Sequence, residues 1–88
     1  MEGQRLILNN GTVIEGGSAG YSGGFLWCYF SGMTLAQVSG LFLDPANTAR
    51  IVFQYGEMED TYTGYTTCMN MGVDADGNGS VFLFKGGT

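Results

Sequence analysis

Apolar and polar residues alternate along most of this chain, which marks short strands interrupted once by a helical stretch. Leu6-Ile7-Leu8 and Val13-Ile14 flank Asn10-Gly11, a dipeptide that tolerates the positive φ angles of a type I′ turn. The spacing predicts a hairpin with strands near 4–9 and 12–16, pairing Asn9 with Thr12, Leu8 with Val13 and Ile7 with Ile14. Phe25 to Phe30 reads as a strand apolar on both faces. Phe25, Trp27 and Tyr29 point one way, and Leu26, Cys28 and Phe30 the other. Such a strand is either covered on each side or carries an interaction surface on one of them.

The period then changes. Leu35, Val38, Leu41 and Phe42 fall on one helical stripe, and Thr34 followed by Gln37 is a capping-box pattern, so a helix is predicted over 34–43. Gly40 inside it points to close packing. Asp44-Pro45 ends it, because the residue before proline is pushed out of the α region. Alternation resumes at Arg50 to Tyr55. Residues 56–60 read as a turn and Thr61 to Met71 as one long strand with a bulge or bend at Gly64. Asp74 to Ser80 is a loop, and Val81 to Phe84 a last strand. The glycine-rich stretch 16–24 reads as an irregular connection. It lacks the Lys-Ser/Thr of a phosphate loop, and a strand follows it where a helix would be needed.

These elements predict one α+β domain spanning 1–88. A twisted antiparallel sheet of five or six strands in the order βββ-α-βββ, open or curled into a partial barrel, packs against one helix. The expected core is Leu6, Leu8, Ile14, Leu26, Cys28, Phe30, Leu35, Val38, Phe42, Ile51, Phe53, Cys68, Val81 and Leu83. A one-residue error in register would invert the face of any strand.

Composition narrows the function. The 88 residues include no histidine, three basic residues and eight acids, for a net charge of −5. Nucleic-acid binding draws its affinity from Lys and Arg against phosphates, so neither nucleic acid nor an anionic membrane surface is an expected partner. Charged residues make up 12% of the chain, about half the usual ~25%. A surface this poor in charge points to association with itself or with other proteins, the alternative being a monomer with a Ser/Thr/Asn/Gly surface. No apolar segment is long enough for a signal peptide or a transmembrane helix, so the expected location is the cytoplasm in which the chain is made. Cys28 and Cys68 fit no zinc spacing and read as free thiols acting as small hydrophobes, a disulfide being possible only if their strands are neighbours.

Three constellations carry potential chemistry. Asp74-Ala75-Asp76-Gly77-Asn78-Gly79-Ser80-Val81 matches the first half of an EF-hand calcium loop. Asp74, Asp76, Asn78 and Ser80 are the candidate metal ligands. Lys85 stands where a bidentate Glu belongs, and a plain hairpin loop selects the same residue types. Glu57, Glu59 and Asp60 form an acidic turn. Paired carboxylates there could do glycosidic acid/base work only across a cleft, which one helix and short strands do not suggest. The aromatics Trp27, Tyr29, Tyr55, Tyr62 and Tyr65 are the interface candidates, since Tyr and Trp dominate interface hot spots, and they fit equally well as ordinary sheet-core residues. Tyr62 and Tyr65 point to opposite faces unless Gly64 bulges. No Ser or Cys has an imidazole to activate it, so no catalytic residues and no cofactor are expected.

The stretch from Phe42 to Ile51, FLDPANTARI, and the stretch from Tyr55 to Thr66, YGEMEDTYTGYT, resemble short proteins encoded in prophages of gut Firmicutes. The opening Leu6-Ile7-Leu8-Asn9-Asn10-Gly11-Thr12 is similar to their start. The resemblance implies a phage morphogenesis or virion-associated part and carries no activity or site with it. The expected function is therefore a non-enzymatic assembly or interaction protein, homo-oligomeric or bound to other proteins of an assembly. The alternative is a small calcium- or carbohydrate-binding module using the 74–80 loop and exposed aromatics.

Overall fold

A computed structural model describes residues 4–22 and 24–85. Strands β1 (Gln4–Ile7), β2 (Val13–Glu15), β3 (Ser18–Ser22) and β4 (Phe25–Phe30) lead into two short helices, α1 (Leu35–Phe42) and α2 (Pro45–Thr48). Strands β5 (Arg50–Tyr55), β6 (Met58–Thr63), β7 (Tyr65–Val73) and β8 (Gly79–Lys85) follow. The class is α+β and the pairing is antiparallel throughout, as expected. The expected single sheet is corrected. There are two four-stranded sheets, sheet A in the order β2-β1-β5-β6 and sheet B in the order β3-β4-β8-β7, and they do not close into a barrel.

Two strands account for the difference. Ser18–Ser22, inside the glycine-rich stretch, is a regular strand that pairs with β4 along its whole length; Gly23 of that stretch lies outside the described residues. The long strand expected over 61–71 is divided at Gly64, whose φ of 82° turns the chain out of sheet A and into sheet B. A glycine meets that angle without the Cβ clash of other residues. The turn expected over 56–60 is also shorter. Tyr55 pairs with Met58, leaving Gly56-Glu57 as a two-residue loop with glycine first, the pattern of a type II′ turn.

The first hairpin forms where the sequence places it, in a different register. Leu6 pairs with Ile14 and Ile7 with Val13. The loop holds three residues rather than two. The Gly11 N–H donates to the Leu8 carbonyl at 2.9 Å, and the Leu8 N–H to the Thr12 carbonyl at 2.8 Å. Gly11 alone carries positive φ, so Asn9-Asn10 form an ordinary turn closed by a left-handed glycine, and the type I′ turn is not used.

Helix α1 forms as predicted, with both halves of the Thr34–Gln37 capping box present. A second helix, α2, was not expected. Asp44 accepts the Ala46 N–H at 3.0 Å as its N-cap and Pro45 supplies the first helical residue, so the dipeptide that stops α1 also starts α2. Asn9 ties the first hairpin to α2, donating to the carbonyls of Asn47 and Ala46.

The inward faces of both sheets and the buried side of α1 share one core: Leu6, Leu8, Ile14, Ile51 and Phe53 from the sheet A side, Leu26, Cys28, Phe30, Tyr65, Val81 and Leu83 from sheet B, with Val38 and Phe42 from α1. Phe30 and Phe42 stack with ring centroids 5.3 Å apart. Two expected core residues are corrected: Leu35 is 49% exposed, at the outer side of the first helical turn, and Cys68 on the bulged edge strand β7 is half-buried. Val52 and Tyr65 are buried and were not expected. Gly40 faces open space, so packing does not explain it. Thr48 is fully buried, and its hydroxyl has no hydrogen-bond partner among the described residues. No described helix is long and apolar enough to cross a membrane.

Candidate functional site

Parity along β4 builds the most distinctive surface of the molecule. Leu26, Cys28 and Phe30 enter the core, so Phe25, Trp27 and Tyr29 point outward and are half-buried. Strand β8 does the same beside it. Val81 and Leu83 go in, while Phe82 (36% exposed) and Phe84 (46% exposed) go out. The register sets Phe25 against Phe84, Trp27 against Phe82 and Tyr29 against Ser80. The rings pack on one another: Phe25 and Phe84 lie 5.3 Å apart, and Trp27 and Tyr29 stack at 6.0 Å with planes 12° apart.

Small and uncharged residues flank this aromatic block. Strand β3 places Gly20 beside Trp27 and Ser18 beside Tyr29. Strand β7 places Thr67 beside Phe84, Asn70 beside Phe82 and Gly72 beside Ser80. No charged residue stands in these rows. Both helices lie elsewhere, α1 packing through Val38 and Phe42 on the core side. The outward face of sheet A differs. It carries a polar row in which Arg5 pairs with Glu15 at 3.8 Å and Gln54 donates to Glu59 at 3.0 Å. Half-exposed rings on an uncharged sheet face offer apolar area with few polar groups to desolvate, which suits protein docking or stacking on a flat ligand.

Of the interface candidates, Trp27 and Tyr29 belong to this face and the other tyrosines do not. Tyr65 is 5% exposed and sits in the core, edge-on to Tyr62 at 6.3 Å. The turn at Gly64 allows that contact, since an unbroken strand would send residues 62 and 65 to opposite faces. Tyr55 stacks on Phe53 at 4.7 Å and donates its hydroxyl to Asp60 at 3.0 Å, which raises its pKa above the ordinary tyrosine value. Phe25, Phe82 and Phe84 were missing from the candidates. The available signal was parity: each is an aromatic at the position opposite to its strand's core residues.

The 74–78 segment is a tight hairpin loop knitted by its own first residue. Asp74 Oδ1 accepts the N–H groups of Asp76 and Asn78, each at 2.9 Å, and Oδ2 accepts from the Asn78 amide at 3.4 Å. These bonds hold the Asp74 carboxyl below the usual carboxylate range. Asn78 Oδ1 accepts the Gly32 N–H at 3.2 Å, which ties this loop to the one after β4. Asp76 is exposed, and Ser80 lies in β8 on the aromatic face. Among the described residues no three Cys, Asp or Glu side chains gather as a metal-binding group.

In the acidic turn, Glu59 and Asp60 are bonded to Gln54 and Tyr55 respectively. Cys28 and Cys68 are free thiols, and β8 lies between their strands, too wide a gap for a disulfide. Burial pushes the Cys28 thiol up to about 12, so it is inert as a nucleophile near neutral pH. No protein-family model, curated protein or solved structure matches this chain.

Proposed function

We propose that the chain is a non-enzymatic assembly or interaction protein whose working surface is the outward face of sheet B. In keeping with the resemblance noted above, we read it as a phage-derived virion or morphogenesis component, made in the host cytoplasm. Its partners are further copies of itself or other proteins of the assembly. One observation carries the reading: Phe25, Trp27, Tyr29, Phe82 and Phe84 form a contiguous, uncharged face that no other described element covers. Aromatic anchors of this kind each contribute about 2 kcal/mol or more at interface centres.

Light scattering after size exclusion, over a dilution series, tests it. The expected result is a mass above that of one chain which falls on dilution, and a smaller assembly in Phe82→Lys than in wild type. That variant places a charge at the centre of the face without touching the core. Monodisperse single chains at high concentration, in wild type and variant alike, would overturn the self-association reading.

The nearly parallel Trp27 and Tyr29 rings support a second reading, stacking of one of them on the flat face of a sugar ring. A shift in Trp27 emission on adding oligosaccharides would favour it. A calcium titration followed at the Asp76 and Asn78 amides tests the metal half of that alternative.

A further inference from the structure

The two sheets end in four edge strands, and three of them are blunted. β2 is only three residues long. β6 carries Glu59 and Asp60. β7 is interrupted by two register shifts and has both helices packed near it. Short length, charge and bulges are the usual devices that keep an edge from pairing with another chain. β3 has none of them. Its Ser-Ala-Gly-Tyr-Ser sequence holds no charge and no proline, and its register with β4 is regular over all five residues. Among the described residues, no backbone hydrogen bond reaches β3 from outside that ladder.

We infer that β3 is the edge through which two copies of this chain join, antiparallel about a twofold axis at Gly20. The inference rests on the assembly reading above and names its first partner as a second copy. The hairpin closes on Ser22 and Phe25, so the backbone groups of Ser18, Gly20 and Ser22 face β4, and those of Ala19 and Tyr21 face the open edge. With Gly20 opposite Gly20, Ala19 of each copy meets the partner's Tyr21, and each such pair exchanges both N–H···O bonds. The strand is self-complementary in that register. Tyr21 lies on the core side of the sheet, 59% exposed, its ring edge-on to Tyr65 at 6.3 Å. Pairing sets this bulky ring against the small, half-buried Ala19 of the other copy, twice over.

The charge distribution permits a second copy at this edge. The chain carries −5 overall. Glu57, Glu59 and Asp60 lie on the β5–β6 hairpin, and Asp74 and Asp76 on the β7–β8 hairpin, all away from β3. Glu15, the acid nearest to β3 in the chain, is paired with Arg5 at 3.8 Å. Two acidic chains therefore approach along their neutral edges. The join also serves the aromatic face. A Cβ on Gly20 would lie 3.5 Å from Trp27 Cε3, so the indole leans over Gly20 toward the edge. Pairing brings both indoles toward the twofold and merges two aromatic faces on one continuous sheet.

Residue-resolved amide exchange by NMR, on concentrated and diluted protein, tests this. In the concentrated wild type the Ala19 and Tyr21 amides should exchange at least about tenfold more slowly than after dilution. Tyr21→Lys should abolish that difference while keeping the far-UV circular dichroism of the fold, and Phe82→Lys should leave the two amides protected. Fast exchange of Ala19 and Tyr21 in wild type that light scattering finds associated would overturn the edge inference and leave the aromatic-face reading standing. Protection at the edge with no effect of Phe82→Lys on mass would sink the face reading and keep the edge. Single chains at every concentration would overturn the second copy as partner.

Discussion

Gly79 is the first residue of β8, where the chain returns from its hairpin beneath α1. An ideal Cβ built there would lie 2.5 Å from Phe30 Cε2, 2.9 Å from Val38 Cγ2 and 3.0 Å from Phe30 Cδ2. Carbon atoms settle at about 3.5–4.0 Å, so Gly79→Ala requires the Phe30 ring to retreat by about 1 Å. It has little room to do so. Phe30 is fully buried and stacked on Phe42, and Val38 is fully buried as well. Overpacking of this kind costs about 1–3 kcal/mol, partly offset by the ~0.4–1 kcal/mol that removing a glycine usually contributes through the unfolded chain. We expect a net loss of about 1.5 kcal/mol, a little over tenfold in the folding equilibrium and a melting temperature lower by about 6–12 °C. Urea denaturation measures it, with Gly72→Ala as the reference. That site is also in a strand, has no positive φ and has nothing within 4 Å of its Cβ, so the change there should be neutral or stabilising. In a double-mutant cycle, Phe30→Leu should reduce the cost of Gly79→Ala by about 1 kcal/mol, because the ring atoms in conflict are gone. A Gly79→Ala variant as stable as Gly72→Ala would refute the packing of Phe30 and α1 over β8.

Three further outcomes are expected. Gly40→Ala should stabilise the protein by about 0.8–1 kcal/mol, since the site faces open space within a helix, and thermal melting should rise accordingly. Thr48→Val keeps the shape of a buried side chain and removes a hydroxyl with no partner, so urea unfolding should show a gain of about 1 kcal/mol; a loss would mean that the hydroxyl is bonded in solution. The Asp74 carboxyl is held below its ordinary value, so what it contributes to the 74–78 loop is complete above about pH 4 and is lost as pH falls through its lower folded pKa. The Asn78 amide signal should follow that lower value and lose this step in Asp74→Ala; a step at or above pH 4 that disappears in Asp74→Ala would contradict the loop's bonding.

Local signals carried the parts of the fold that local chemistry decides. The capping box at Thr34 and Gln37 places α1 because both bonds close within one turn. Asp44-Pro45 marks a boundary, yet whether it ends one helix or also begins another depends on the next residues folding against Asn9. The division into two sheets was not legible. Gly64 looks the same whether it bends a strand or passes the chain to another sheet, and the difference lies in which partner, β5 or β8, offers hydrogen bonds on either side of it. β3 is the same problem in another form. Ser-Ala-Gly-Tyr-Ser has little intrinsic strand preference, and it is extended because β4 presents an edge and Gly24, with φ of 85°, permits the turn back.

The aromatic face shows where residue type misleads and parity does not. Tyrosine and tryptophan stand out as interface residues because of their polar tips, and Phe25, Phe82 and Phe84 are named neither among those candidates nor in the expected core. In β4 and β8 the side of the strand decides instead. Phe30 is buried because it shares parity with Leu26 and Cys28, while Phe25, Phe82 and Phe84 face outward whatever their hydrophobicity. Tyr65, with its polar tip, is buried because the turn at Gly64 delivers it inward next to Tyr62. A strand apolar on both faces leaves open whether its second face is covered, since that depends on where the helices dock. Here α1 docks on the core side through Val38 and Phe42, and the outward rings stay free. Burying them would need another helix or another sheet, and the described residues supply neither, which is why the docking role is proposed for this face.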